Sequence, residues 1–357
     1  MAASQSLENP VGATQIAAAY RRTLARRTTI VAALALACLC GFALDLITGP
    51  SSMTAGQVLR GLLSPDSLTP AQSAIVWHVR LPYAAMALLV GAALSLAGAE
   101  MQTILNNPLA SPFTLGVSSA ASFGASLAIV LGVGLPFIPR DWLVSLNAFV
   151  FAFGSVLLLQ MMSRTRGAGV ETLVLFGIAL VFAFNALVAL VQFVSSQEAL
   201  QQLVFWTMGS LSRATWGNVA VLAAVLAAVT PFSIGAARAM TALRLGEDRA
   251  RSFGVDVARL RFLSLLRVSL LASTAVAFVG AIGFIGLVGP HIARMLLGED
   301  HRFLLPASLL TGALIMSLAS AASKVLAPGV LMPVGIVTAM IGVPIFLLLI
   351  FRTGARG

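Results

Sequence analysis

Hydrophobic residues dominate the chain from about residue 29 to its end, in blocks of roughly twenty residues that polar turns separate. A helix of about 20 apolar residues can cross a bilayer, and the blocks lack the alternating pattern of a transmembrane β-barrel. The pattern therefore predicts an all-α polytopic membrane protein of about ten transmembrane helices. The expected spans are roughly 29–48, 83–104, 113–134, 142–162, 171–195, 218–236, two within 262–298, 303–325 and 333–351.

The apolar block 262–298 is too long for one crossing, and both of its flanks are basic. It is therefore expected to cross outward and to return in a short second leg. Gly280, Gly283, Gly286 and Gly289 stand three apart through this return. Glycines so placed suit a broken helix, close backbone contact or simple helix packing, and the sequence leaves these readings open.

The composition fits a membrane domain and excludes a soluble globular protein. Of the 357 residues, 59% are hydrophobic and 10% are charged, and the mean hydropathy is +0.98. No repeat with a period of 20–50 residues divides the chain. We expect one transmembrane domain over 29–352, between a cytoplasmic N-terminal tail, 1–28, and a C-terminal tail, 353–357.

The net charge of +10 could indicate nucleic-acid binding, but the arginines are distributed by loop and form no single patch. Most of them precede the first span, follow the fourth span, fill the stretch 242–261 or lie near the C-terminus. Cytoplasmic loops of membrane proteins carry the excess of Lys and Arg. These segments and both termini are therefore expected in the cytoplasm, segments 49–80 and 196–217 outside, and nucleic acid is not an expected partner.

The densest run of charge, residues 242–261, lies between two apolar blocks. A charged stretch this long cannot lie in hydrocarbon. Apolar residues are interleaved with the charges, and Gly246 and Gly254 are placed to end short helices, so we expect two amphipathic helices at about 240–258. The alternative is an ordinary solvated loop. An apolar face outside the membrane needs a cover, and a partner protein is the obvious one. The residues expected at this contact are Leu243, Arg244, Leu245, Gly246, Glu247, Ala250, Arg251, Phe253, Gly254 and Val255.

No catalytic motif is recognisable in the sequence. A phosphate-binding loop needs a Lys followed by Ser or Thr, but the only lysine, Lys324, precedes Val325. The three histidines, His78, His291 and His301, show no metal-ligand spacing. We therefore expect a protein that is not an enzyme, with no catalytic residues, no bound cofactor and no metal site of its own.

Three acidic residues, Asp45, Glu100 and Glu171, fall within or at the ends of predicted spans. Ionisable groups inside membrane helices are commonly functional, and a proton-coupled carrier would place them near the midplane. All three can instead lie at the ends of their helices in contact with water. A proton-driven secondary transporter is therefore the competing functional class.

A series of short motifs follows the predicted helices in order. They are Arg80-Leu81-Pro82, Asn107-Pro108-Leu109-Ala110-Ser111-Pro112, Trp206-Thr207-Met208-Gly209-Ser210-Leu211, Gly283-Phe284-Ile285-Gly286-Leu287-Val288-Gly289-Pro290-His291 and Pro333-Val334-Gly335-Ile336-Val337-Thr338. With them the sequence resembles the permease subunit of type II ABC importers for iron–siderophore complexes, haem and cobalamin. The resemblance covers nearly the whole chain from about residue 29.

The resemblance implies a multi-pass protein of the inner membrane that forms a homodimer or pairs with a related permease. Two cytoplasmic ATPase subunits, which hold the ATP and Mg, would dock on 242–261. A periplasmic binding protein would deliver a metal chelate to the outer face. A ferric siderophore is the favoured cargo, with haem second and cobalamin third. An export or signalling scaffold is a more distant alternative.

The resemblance also implies roles for single residues. Arg80 and Lys324 occupy positions where the family docks its binding protein, although two family positions that often hold Arg and Asp are Tyr83 and Ser320 here. Lysine at 324 also replaces an arginine of the family and loses its bidentate geometry.

The cytoplasmic gate of the family corresponds to the turn that contains Asn107 and Leu109. Glu171 lies near the start of the second gating segment, where the resemblance does not predict an acidic residue.

Overall fold

The computed structural model describes residues 10–51, 53–134, 139–163, 170–327 and 330–354, and no β-strand occurs in these ranges. The α-helices are α1 (Pro10–Ile47), α2 (Ala55–Leu63), α3 (Pro70–Ala74), α4 (Leu81–Ile104), α5 (Val117–Leu131), α6 (Arg140–Ser163), α7 (Val170–Phe193), α8 (Gln197–Thr207), α9 (Trp216–Gly235), α10 (Ala237–Leu243), α11 (Glu247–Ser252), α12 (Val257–Val279), α13 (Ile285–Leu297), α14 (His301–Ser323) and α15 (Val334–Gly354).

Each of the ten predicted spans corresponds to an apolar helix. Seven are long and apolar enough to cross a membrane, namely those containing α1, α4, α6, α7, α9, α12 and α14. The apolar parts of α5, α13 and α15 are shorter and complete the set of ten in the described chain. The prediction of a polytopic all-α fold is therefore confirmed.

The first helix begins much earlier than hydropathy indicates. It starts at Pro10, whereas the sequence predicts a polar tail up to residue 28. No Gly or Pro interrupts the chain between Gly12 and Gly41, so nothing in the backbone stops the helix at the membrane boundary. The basic turn expected at 164–167 lies outside the described residues.

The two external segments contain helices of their own. Residues 49–80 form α2 and α3, followed by a π-helical turn over Ile75–Arg80 that runs directly into α4. The loop 196–217 contains α8. In the first segment, Gly49-Pro50 and Ser64-Pro65 are local turn signals, but the sequence does not indicate that either segment is helical.

The block 262–298 crosses as α12 and returns as α13, with an extended break between them. Gly280 and Phe284 both have positive φ, +79° and +68°, at the two ends of the break. Gly286 then packs against α4 so closely that a Cβ on Gly98 would overlap the carbonyl oxygen of Gly286. The glycines thus serve both a broken helix and close helix packing.

Helix α4 lies at the centre of the subunit, in contact with α1, α9, α12, α13 and α14. Its small residues let the neighbouring backbones approach closely. In the apolar segment that contains α4, 78% of the residues are buried. In the apolar segment of α7, only 17% of the residues are buried. The inner end of α4 therefore meets several helices at once, whereas α7 presents an uncovered apolar face.

Candidate functional site

The charged stretch forms the two short helices expected from its sequence. Helix α10 follows α9 after Ala236, and α11 follows a turn at Gly246, whose φ is +106°. Gly254 takes a φ of +81° after α11, and the Asp256 side chain accepts a hydrogen bond from the Arg259 amide to start α12. Positive φ favours glycine, which explains both glycines. The observed helices span 237–252, slightly earlier than the predicted 240–258.

The apolar residues of this stretch divide between two faces. Leu243 and Ala250 are buried against the rest of the subunit, and Val255 is partly covered by the same core. Leu245 is 53% exposed and Phe253 is 67% exposed. Leu243 and Ala250 therefore pack against the subunit itself, and their role at a partner contact stays a prediction, as it does for the other residues of the stretch.

Glu247 fixes α11 to the helix that follows it. Its carboxylate accepts hydrogen bonds from Arg251, at 3.1 Å, and from Arg261. The Arg261 Nε also donates to the carbonyl oxygen of Ile104, at 3.2 Å. This contact joins α11 and α12 to the inner end of α4.

Arg244 makes the second connection between the charged stretch and α4. Its Nη1 donates to Asn106 Oδ1 at 2.5 Å, and its Nη2 donates to Glu299 Oε1 at 3.0 Å. The same Glu299 oxygen lies 3.1 Å from Arg294 Nε, and Arg294 Nη1 donates to Gln102 Oε1 at 2.9 Å. Arg244 therefore links α10, the turn after α4 and the return helix α13 through charge-assisted contacts.

The turn after α4 has the geometry of a constrained loop. Asn106 adopts a φ of +46°, and Asn107 Oδ1 accepts a hydrogen bond from the Leu109 amide at 2.9 Å. Leu109 is 43% exposed. Glu171 is exposed at the start of α7, and among the described residues no hydrogen bond or ion pair joins it to this turn. The role of Asn107, Leu109 and Glu171 in a gate stays a prediction.

A buried histidine connects the same elements and was not singled out from the sequence. His301 begins α14, and its Nε2 lies 2.7 Å from the hydroxyl of Thr103 on α4. Its Nδ1 lies 3.2 Å from the hydroxyl of Thr241 on α10, which also accepts a hydrogen bond from the His301 amide. The only local signal is its position in the polar Glu299–Arg302 stretch between two apolar helices.

The two expected docking cations have partners inside the subunit. Arg80 is 5% exposed, and its guanidinium donates to the carbonyl oxygen of Ile47 at 2.9 Å and to Ser51 Oγ at 2.6 Å. Lys324 is 8% exposed, and its Nζ donates to Asp45 Oδ1 at 2.7 Å. Neither side chain is exposed on the outer face. Their burial gives no support to a docking role, which stays a prediction.

Glu100 and Asp45 are buried completely. This corrects the alternative in which both residues lie at the ends of their helices in contact with water. Glu100 accepts hydrogen bonds from Arg267 Nε at 3.0 Å and from Arg267 Nη2 at 2.7 Å. The Arg267 Nη2 also donates to Ser264 Oγ at 2.8 Å. Each buried carboxylate therefore has a cationic partner. The hydropathy pattern of the sequence does not indicate Arg267 as one of these partners.

Sequence comparison supports a transport role for this architecture. The profile of the FecCD transport family matches residues 35–352. The chain is 36% identical over 281 residues to the hemin transport system permease protein HmuU of Yersinia pestis, which covers 78% of this chain and 84% of the relative. It is 34% identical over 304 residues to the molybdate import system permease protein MolB of Haemophilus influenzae, covering 85% and 88%.

A further relative and a solved structure agree with these matches. The vitamin B12 import system permease protein BtuC of Escherichia coli is 36% identical over 317 residues, covering 88% of this chain and 95% of the relative. The solved structure is described as an inward-facing conformation of a metal-chelate type ABC transporter. It superimposes with a TM-score of 0.80 at 32% identity, covering 91% of this chain and 99% of that chain. This chain belongs to the FecCD transport family.

Proposed function

We propose that the chain is the permease subunit of an ABC importer that carries a metal chelate across the inner membrane. The observation that carries the proposal is the cytoplasmic surface made by Leu245 and Phe253, which we call the coupling surface. Two exposed apolar side chains stand there on helices that Arg244 and Glu247 tie to the inner end of α4. A partner that moved these helices would therefore move the turn at Asn106.

The partner at the coupling surface is a cytoplasmic ATPase subunit, which supplies the ATP and Mg that this chain has no motif to bind. Two such subunits would serve two permease copies. The exposed apolar side chains would provide affinity, because burying apolar area is favourable, and the flanking charges would set the register. Arg251, whose side chain is 60% exposed, is one charge available for that purpose.

A second permease copy is part of the proposal. Helix α7 carries exposed Leu175, Phe182 and Phe193, which are 68%, 71% and 88% exposed. One chain contains no internal duplication, so a translocation path between two equivalent halves requires a second copy of this chain or a related permease. The measured mass of the purified complex tests this, since a single permease copy in the active complex would contradict it.

The cargo class is a metal chelate, delivered by a periplasmic binding protein. The relatives are named for haem, vitamin B12 and molybdate, so their cargoes range from large metal complexes to a small oxyanion. A ferric siderophore remains our favoured cargo, with haem and cobalamin as alternatives. Titration of the cognate binding protein with these compounds would identify it.

The decisive experiment removes the coupling surface. Leu245→Asp with Phe253→Asp should release the ATPase while the permease still inserts, because no membrane helix is changed. Both side chains are already partly covered, so burying the rest of each is worth about 1–2 kcal/mol, and the double change should weaken ATPase binding roughly 30- to 1000-fold. Burying the new carboxylates adds to the loss. Co-purification measures the loss of ATPase binding, and uptake assays in vesicles measure the loss of ATP-driven transport.

The matched control places the same substitutions on the other side of the membrane. Leu59 and Leu63 on α2 are 49% and 86% exposed, and changing both to Asp should leave ATPase binding unaltered. Uptake by the coupling-surface variant that a proton gradient sustained without ATP would contradict the proposal. It would favour the secondary-transporter reading instead.

A further inference from the structure

A cavity of about 1010 Å³ opens at the outer ends of α6, α8, α9 and α12. It is lined on several sides by aromatic rings, among them Trp142, Phe205, Trp206 and Phe278. The rings of Trp142 and Phe278 meet edge to face, with centroids 5.9 Å apart, and so join α6 to α12 in one wall. We call this cavity the outer vestibule. Its volume suits a bulky organic ligand, since ligand pockets span about 300–1000 Å³.

One cation, Arg213, lines the outer vestibule without a carboxylate partner among the described residues. Its guanidinium lies 5.7 Å from the centroid of the Trp206 ring. The residue as a whole is exposed, but desolvation of its guanidinium by the surrounding protein lowers the pKa of Arg213 to about 10. The group therefore remains charged at neutral pH while having lost part of its hydration.

Arg213 differs from the two buried outer cations, Lys324 and Arg80. Lys324 is neutralised by Asp45, and Arg80 donates to backbone carbonyls at the end of α1. The Arg213 guanidinium lies over an aromatic face, and an arginine stacked on a ring keeps its N–H edge available for an anion. Amide side chains of Gln201 and Gln202 line the same cavity and can supply further hydrogen bonds.

We propose that the outer vestibule binds an anionic metal chelate with aromatic or conjugated rings, and that Arg213 pairs with its negative charge. The proposal rests on the import function above and narrows its cargo class. Aromatic walls favour flat conjugated groups, whereas the single cation requires a negative charge. A neutral chelate leaves Arg213 unpaired, and a small inorganic oxyanion leaves the aromatic walls unused.

The test measures ligand binding to the whole permease–ATPase complex in lipid nanodiscs, without a binding protein. The probes are the ferric complex of a tricatecholate siderophore and haemin, both anionic and conjugated, with neutral cyanocobalamin and molybdate as comparison ligands. Binding is followed by quenching of tryptophan fluorescence and by equilibrium dialysis. We expect saturable binding of at least one anionic probe that weakens as salt is raised, and at least tenfold weaker binding of both comparison ligands.

Three variants separate the charge from the fold. Arg213→Gln should weaken binding of the anionic probe at least tenfold, and Arg213→Lys should fall between that variant and the parent. Arg60→Gln, on exposed α2 at the same side of the membrane, should bind as the parent does. Unchanged thermal unfolding midpoints and basal ATP hydrolysis show that the variants remain folded.

Several results would overturn the inference. They are the absence of binding by both anionic probes, equal affinity for cyanocobalamin, or an Arg213→Gln variant that binds like the parent. A loss in Arg213→Gln that appears only when the binding protein is added would assign the residue to protein docking instead. Vestibule binding with no ATP-driven import would refute the proposed function alone, whereas intact import with unchanged probe binding in Arg213→Gln would refute the vestibule alone.

Discussion

Replacing Arg267 with methionine should destabilise the subunit strongly, because it leaves the Glu100 carboxylate buried without a cation. Glu100 has no exposed side-chain surface, and the Arg267 side chain is 9% exposed. Three N–O contacts of 2.7–3.0 Å join the two residues. Removing one member of such a buried pair costs about 3–5 kcal/mol. At ~2 °C per kcal/mol, the thermal unfolding midpoint should fall by roughly 6–10 °C.

Removing both charges should restore most of that stability. In Glu100→Leu with Arg267→Met, neither charge has to be desolvated, and replacing a buried pair by apolar residues is commonly neutral or stabilising by about 1–4 kcal/mol. The Ser264 hydroxyl loses its hydrogen bond from Arg267 in the double variant, and this loss reduces the stability that the double variant recovers. The matched control is Arg302→Met, because the Arg302 side chain is 46% exposed and Asp300 keeps its pair with Arg27, and surface ion pairs are worth about 0–1 kcal/mol.

Thermal unfolding in one fixed detergent and ATP-driven uptake in vesicles measure the outcome. A single variant as stable as the parent would refute the assignment of a buried ion pair. A double variant that is stable but fails to transport would show that the charges act in transport itself. That result would favour the secondary-transporter reading, in which Glu100 is a functional ionisable group inside the membrane.

The remaining predictions concern packing, the second buried pair and topology. Gly98→Ala should lower the unfolding midpoint by several degrees, because its Cβ would overlap a backbone carbonyl of α13, whereas Gly154→Ala, with open space around it, should be neutral or stabilising. Lys324→Met should cost about 3–5 kcal/mol by leaving its buried carboxylate partner unpaired, and a change in binding-protein capture with unaltered stability would contradict this. Cysteines at Ser67 and Ser252 should react with impermeant reagent from opposite sides of the membrane, and labelling of both from one side would refute the topology.

The coupling surface shows how far a local pattern can predict structure. Charge density, interleaved apolar residues and two glycines were sufficient to predict two short helices over this stretch, and α10 and α11 confirm them. The pattern could not separate Leu243 from Leu245, because both are apolar and two positions apart. Their different burial depends on how α10 and the turn after it pack against α4 and α14.

The buried pairs show the opposite limit. Glu100 and Arg267 are 167 positions apart, and Asp45 and Lys324 are 279 apart. The sequence shows an acid inside an apolar block, and physical chemistry requires a partner for it, but hydropathy does not say which cation supplies the partner. Hydropathy does not reveal Arg267, because one arginine hardly changes the mean hydropathy of α12.

The sequence by itself determined the number of apolar helices and the family to which the chain belongs, and its charge distribution predicts the side of the membrane on which the charged stretch lies. These properties depend on residues that are neighbours along the chain, since bilayer thickness and the distribution of charge act on each segment separately. Only the tertiary structure decided that Arg244 contacts Asn106, that Lys324 is neutralised and that Arg213 has no carboxylate partner in the part of the chain that the structure describes. Those contacts depend on which helices pack together, because a charge inside the subunit is stabilised only by the particular groups that the fold brings within a few ångströms.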